Sequence, residues 1–174
     1  MKKILFSVLF FTLCLTGTSL QAQDYQSAVG LRLGSPVSIS YKTFLGDSPN
    51  ALEVFAGTRG ERTSSFIGDI GWRWYNVGAA YQIHKPLELG DLEGLSWYWG
   101  AGGSAFFWSF DEGFGIGETT TSFAVQGYIG LDYSFANTPI SLTLDWVPTI
   151  LLNGFDSGFG ADFGALGVRY IFSR

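Results

Sequence analysis

The chain has 174 residues, 47% of them hydrophobic and only 14% charged, with 15 acidic against 10 basic side chains and a net charge of −5. That acidic balance disfavours nucleic acid as a partner. The 24 glycines, 16 phenylalanines, 8 tyrosines and 6 tryptophans are a mixture typical of barrels, where glycine relieves crowding and aromatics mark interfaces. Past the N-terminal segment no run reaches 18 apolar residues, which excludes a helical membrane protein and leaves a barrel open.

Met1-Lys2-Lys3 is a short basic region, ILFSVLFFTLCLTG is apolar, and Thr18 to Ala22 ends on a small residue before a plausible cut. The apolar run is shorter than the roughly 20 residues a spanning helix needs. Residues 1–22 therefore read as a signal peptide, cleaved after Ala22, and 23–174 as one barrel domain. Cys14 lies inside the apolar run, and Phe11-Thr12-Leu13 lacks the small residues of a lipoprotein site, so the mature chain has no thiol chemistry. Without Lys2 and Lys3 it carries 8 basic against 15 acidic residues.

Eight strands follow, each alternating apolar and polar with period two. The first is 27–34, turning at Ser35-Pro36 into 37–45, and Gly46 to Asn50 turns into 51–59. A polar loop, GERTSS, leads to a fourth strand that is clear over 75–84; its start near Gly71 to Trp74 is hard to phase and suggests a bulge. The fifth is 95–110, with Leu95, Trp97, Trp99 and Ala101 on one side. Beyond the loop DEGFGIGE the sixth, 122–135, is SFAVQGYIGLDYSF. Asn137-Thr138-Pro139 turns into 140–152, and the loop NGFDSGFGAD precedes 163–172.

An even strand number places both termini on one side of a closed ring, an eight-stranded antiparallel up-and-down transmembrane β-barrel of the all-β class. With the termini periplasmic, the turns at 46–50, 85–94 and 136–138 are periplasmic and the longer glycine-rich loops face outward. The two parities then differ in content. One carries Arg32, Lys42, Glu53, Asp132, Asp145 and Arg169 among Gly, Ala, Ser, Thr and Gln, small enough for the interior of eight strands. The other carries Tyr41, Tyr81, Trp97, Trp99, Tyr133, Phe135, Tyr170 and Phe172 toward the periplasmic side, an expected membrane-interface girdle. The six charges balance, three against three, and predict an ion-pair network that plugs the lumen.

No catalytic residue, metal ligand or cofactor emerges. His84, the sole histidine, falls at the periplasmic end of the fourth strand, where a hydrogen bond to a neighbouring turn is the plain expectation. Asp111, Glu112, Asp156 and Asp162 in the outer loops lack the spacing of a calcium loop. GFGIG at 113–117 precedes no helix and is not a nucleotide fingerprint. Phe114, Ile116, Phe155 and Phe159 are expected to fold over the barrel mouth or to contact a partner or lipopolysaccharide.

AVGLRLGSPVSISYKTFL followed by ALEVFAGTR, the step His84-Lys85-Pro86, LSWYWGAGG, GYIGLDYSF and PISLTLDWVP together resemble the small outer-membrane barrels of Bacteroidota-type bacteria, over nearly the whole mature chain. The resemblance implies an architecture similar to the OmpA and OmpX transmembrane barrels, with no enzymatic activity established for the family as a type. GVRYIF resembles the C-terminal signal read by the outer-membrane assembly machinery, although this chain continues to Ser173-Arg174. The expectation is a monomeric, non-enzymatic cell outer-membrane protein in contact with outer-membrane lipids and lipopolysaccharide. Three alternatives accompany it: a soluble periplasmic lipocalin-like barrel around an apolar ligand, a narrow pore, and a lipid-modifying enzyme.

Overall fold

The computed structural model describes residues 25–65, 68–89, 93–110, 120–153, 158–161 and 163–173. The segment read as a signal peptide lies outside these, as do Asp111, Glu112, Phe114, Ile116, Phe155, Asp156 and Asp162. The strands are β1 Ser27–Ser35, β2 Val37–Phe44, β3 Asn50–Ser65, β4 Gly68–Pro86, β5 Leu95–Phe110, β6 Thr120–Ser134, β7 Ile140–Trp146, β8 Thr149–Leu151, β9 Gly158–Gly160 and β10 Gly164–Ser173. Every neighbouring pair is antiparallel, and the sheet closes because β1 pairs β10 at one seam and β5 pairs β6 at the other.

Ten strands make eight staves, since β7 with β8 and β9 with β10 are each one interrupted stave. Pro148 has no N–H for the ladder. Trp146 faces Gly164 while Thr149 faces Gly160, so three steps on one stave oppose four on the other, a bulge. The backbone stays satisfied across it: Val147 N–H donates to the Phe163 carbonyl at 2.9 Å and Gly127 N–H to the Pro148 carbonyl at 2.9 Å.

The fourth strand has no bulge where one was expected. The β3–β4 register runs unbroken from Asn50 opposite Ile83 to Ser65 opposite Gly68. GERTSS is therefore strand, not loop, and the hairpin rises well beyond the turn at Ser35-Pro36. Polarity misled the reading, because a polar stretch bounded by glycine and serine resembles a loop even where it pairs as strand. The phasing difficulty near Trp74 arises because Arg73 points out and is exposed, whereas Trp74 points in and is buried.

Along the rest of the wall the outward parity is apolar: Leu31 is 55% exposed, Ile39 54%, Phe123 55% and Leu144 58%. The inward parity forms three tiers. At the end bearing the termini, Tyr25, Ala28, Phe44, Ala51 and Ile171 pack together. In the middle, charged side chains lie among Phe55, Tyr98 and Tyr128. At the other end Trp74, Phe106 and Trp108 pack with Phe163.

Closure depends on close approach of β1 to β10. A Cβ at Gly30 would lie 2.2 Å from the Val168 carbonyl oxygen and 2.6 Å from Arg169 Cα, with backbone on both counts. Gly30→Val should therefore loosen this seam and destabilise the barrel by about 1–3 kcal/mol, read as a lower urea midpoint in detergent. An unchanged midpoint would show that the seam tolerates a side chain there.

Candidate functional site: the barrel lumen

The strand period decides which side chains enter the lumen, and ring closure decides which of them meet. Arg32, Lys42, Glu53, Asp132, Asp145 and Arg169 all point inward, and each is buried. They come from β1, β2, β3, β6, β7 and β10. Glu53 sits at the centre: its Oε1 accepts from Arg169 Nη2 at 2.6 Å and lies 4.0 Å from Arg32 Nη1, while its Oε2 accepts from Gln82 Nε2 at 2.8 Å. Arg32 Nη2 donates to Asp145 Oδ1 at 2.7 Å, and the Tyr98 hydroxyl donates to Asp145 Oδ2 at 3.0 Å. Arg169 Nη1 also donates to Thr143 Oγ1 at 2.8 Å.

A second group lies nearer the termini. Lys42 Nζ donates to Asp132 Oδ2 at 3.2 Å, and the Tyr25 hydroxyl donates to the same oxygen at 2.8 Å. The ammonium also stands 4.4 Å from the centre of the Tyr98 ring, a cation–π contact strengthened by its removal from water. Buried charges persist where an opposite charge replaces water, and the three cations and three anions here each lie beside a charge of the other sign.

His84 is a lumen residue and not one bonded through its ring to a turn. Its ring stacks on Tyr98 with centroids 4.8 Å apart and meets Phe44 edge-on at 4.9 Å. Nε2 lies 3.5 Å from Lys42 Nζ, an ammonium that only donates, so the ring proton belongs on Nδ1, 3.4 Å from Ser96 Oγ. Ser96 Oγ donates in turn to the Asp132 carbonyl at 3.3 Å. Serine and histidine are thus adjacent, but a lysine occupies the place where a hydrolytic triad needs an orienting carboxylate. Among the described residues no group of three His, Cys, Asp or Glu side chains is placed to hold a metal.

The aromatics expected at a membrane interface all lie on the outward parity. Tyr41, Tyr81, Trp99, Tyr170 and Phe172 are exposed, and Trp97, Tyr133 and Phe135 are half-buried. Tyr41 stacks on Phe172 across the sheet, and Tyr133 meets Phe135 edge-on. A second group on the same parity was not read as a girdle in the sequence: Tyr75, Phe107 and Phe123 are exposed toward the far end of the wall. Phe159 belongs with them, 67% exposed opposite Ile150, and does not fold over the mouth. Phe163 instead turns inward, 6.3 Å from Trp74 and 6.2 Å from Phe106 between ring centres.

Sequence reasoning also missed Tyr25, Gln82, Tyr98 and Thr143 as partners of the charges. The last three were available from parity alone. Tyr25 precedes the first strand, and no periodic signal could place it.

No protein-family model matches the chain, and no curated protein matches it in sequence. Solved structures do match. Neisserial surface protein A superposes with a TM-score of 0.60 at 15% identity, over 84% of this chain and 93% of that one. Ail, the attachment invasion locus protein of Yersinia pestis, in complex with the heparin analogue sucrose octasulfate, gives 0.49 at 16% identity, over 84% and 94%. At such identities the likeness is one of fold: the chain is a closed eight-stranded antiparallel β-barrel of the kind found in outer-membrane proteins.

Glu53→Gln leaves the Arg169 and Arg32 guanidiniums facing a neutral amide. It should cost about 3–5 kcal/mol of unfolding free energy in detergent. Glu53→Leu combined with Arg169→Met should cost less than the two single changes summed, because no buried charge is left alone. Strict additivity would show that the pair is not coupled.

Proposed function

We propose that this chain is an integral outer-membrane protein without catalytic activity, its lumen plugged by the ion-pair network and the aromatic tier, with a structural or surface-interaction role. One observation carries the reading: the charges turn into the ring and the apolar side chains turn out of it. Leu144 at 58%, Leu31 at 55% and Ile39 at 54% exposure, repeated around a closed wall, form a surface that water disfavours and hydrocarbon accepts. Aromatics toward both ends of that band suit the two interfaces of a bilayer. Export through a signal peptide of residues 1–22, insertion by the outer-membrane assembly machinery and contact with lipopolysaccharide as a monomer belong to the same proposal.

The alternatives fit the interior less well. A lipocalin-like carrier needs an apolar cavity, and the middle of this lumen holds paired charges. A pore needs a continuous water path, and Trp74, Phe106, Trp108 and Phe163 pack across the end away from the termini. A lipid-modifying enzyme needs its histidine at the outer-leaflet end or on the lipid face, and His84 is buried in the lumen.

Leu144→Arg puts a charge in the middle of the outward band. In lipid it should destabilise the barrel by about 2–4 kcal/mol, whereas a water-facing position would register almost nothing. Purified wild-type protein in planar bilayers should give no conductance steps. Regular steps would remove the plug from the account while leaving the membrane assignment standing.

A further inference from the structure

The β1–β2 hairpin ends at the Ser35-Pro36 step, far below the tips of β3 and β4, so the wall is low on that side. Beneath the step is a small cavity of about 10 Å³, lined on one side by Ser35, Pro36 and Ser38 and toward the lumen by Arg32, Phe55 and Asn76. Asn76 is 1% exposed, and both its Oδ1 and its Nδ2 are without a hydrogen-bond partner. Arg32 Nε, in the same lining, is also unpartnered, although the two terminal nitrogens of that guanidinium reach Asp145 and Glu53. Leaving such groups unpaired in a buried site costs on the order of 1–3 kcal/mol for each.

A Cβ at Gly57 would meet Asn76 Oδ1 at 2.7 Å and Ser38 Cβ at 2.8 Å, so a residue without a side chain stands beside the amide. Two unpartnered donors and one unpartnered acceptor thus line, together with Ser38, Gln126 and Tyr128, a space of the size that holds a single water. An anion would find Arg32 already bound to carboxylates, and a cation would find that guanidinium beside it.

We infer that this cavity is a binding site for one ordered water molecule, held by the Asn76 amide and Arg32 Nε. The water ends the polar network where the lumen passes into the aromatic tier. Its position under the low part of the wall gives it a short route to solvent.

A high-resolution crystal structure of the full barrel tests the site. Wild type should show a density peak within hydrogen-bond distance of both Asn76 and Arg32 Nε, with water-to-amide cross-relaxation at the Asn76 side chain by NMR in micelles. Asn76→Leu, shown to be folded by its shift on an unboiled gel, should lose the peak. Three outcomes overturn the inference: no peak in wild type with the amide turned to a protein partner, a peak that stays in Asn76→Leu, or absent cross-relaxation.

Discussion

The contact on which the rest of this structure depends is the Glu53 carboxylate, held by Arg169 at 2.6 Å and Gln82 at 2.8 Å with Arg32 at 4.0 Å. These four residues belong to β3, β10, β4 and β1, so the contact spans the seam that closes the ring. An open sheet would leave the carboxylate and the guanidiniums in water, where such pairs contribute little. In the closed ring they are buried and each charge has a partner. Closing the ring and neutralising the interior are therefore one event.

That event dictates the outside. A strand has two faces, and once the charged one is inside, Leu31, Ile39, Val77, Leu144 and Val168 are committed to the outer wall. The proposed lipid environment would complete this arrangement physically, since a contiguous apolar belt of this extent is unfavourable in water. The preference inverts at the end away from the termini, where Arg73 faces out and Trp74 in. There the wall obeys the rule of a water-soluble protein. On the proposed membrane reading, the change of rule along β4 would mark where the hydrocarbon gives way, and the aromatic tier inside replaces the ion pairs at about the same level.

The staves were readable because period two is a strong signal, and the inward charges were readable because they share that period. Their pairing was not. Arg32 meets Asp145 across 113 residues, and Arg169 meets Glu53 across 116. Such partners are set by ring closure and register, which no local pattern encodes. The tall β3–β4 hairpin escaped notice because its polar residues resemble a loop once no apolar face is required. Trp74 was not assigned inward because its stretch could not be phased, and Phe106 and Trp108 were left unassigned at the far end of the fifth strand. His84 was placed on the right strand, yet its ring contacts Tyr98, Phe44 and Lys42 and belongs to the network within the barrel.

The claim that the apolar parity meets lipid is most directly tested by tryptophan fluorescence in bilayers containing brominated lipid. Two variants suffice, one retaining only Trp99, which is 48% exposed on the outer wall, and one retaining only Trp74, which is 2% exposed in the lumen. Trp99 should be strongly quenched and Trp74 nearly untouched. Quenching of Trp74 with Trp99 spared would mean that the two faces are reversed, and a protein that leaves Trp99 unquenched would contradict a wall built against hydrocarbon.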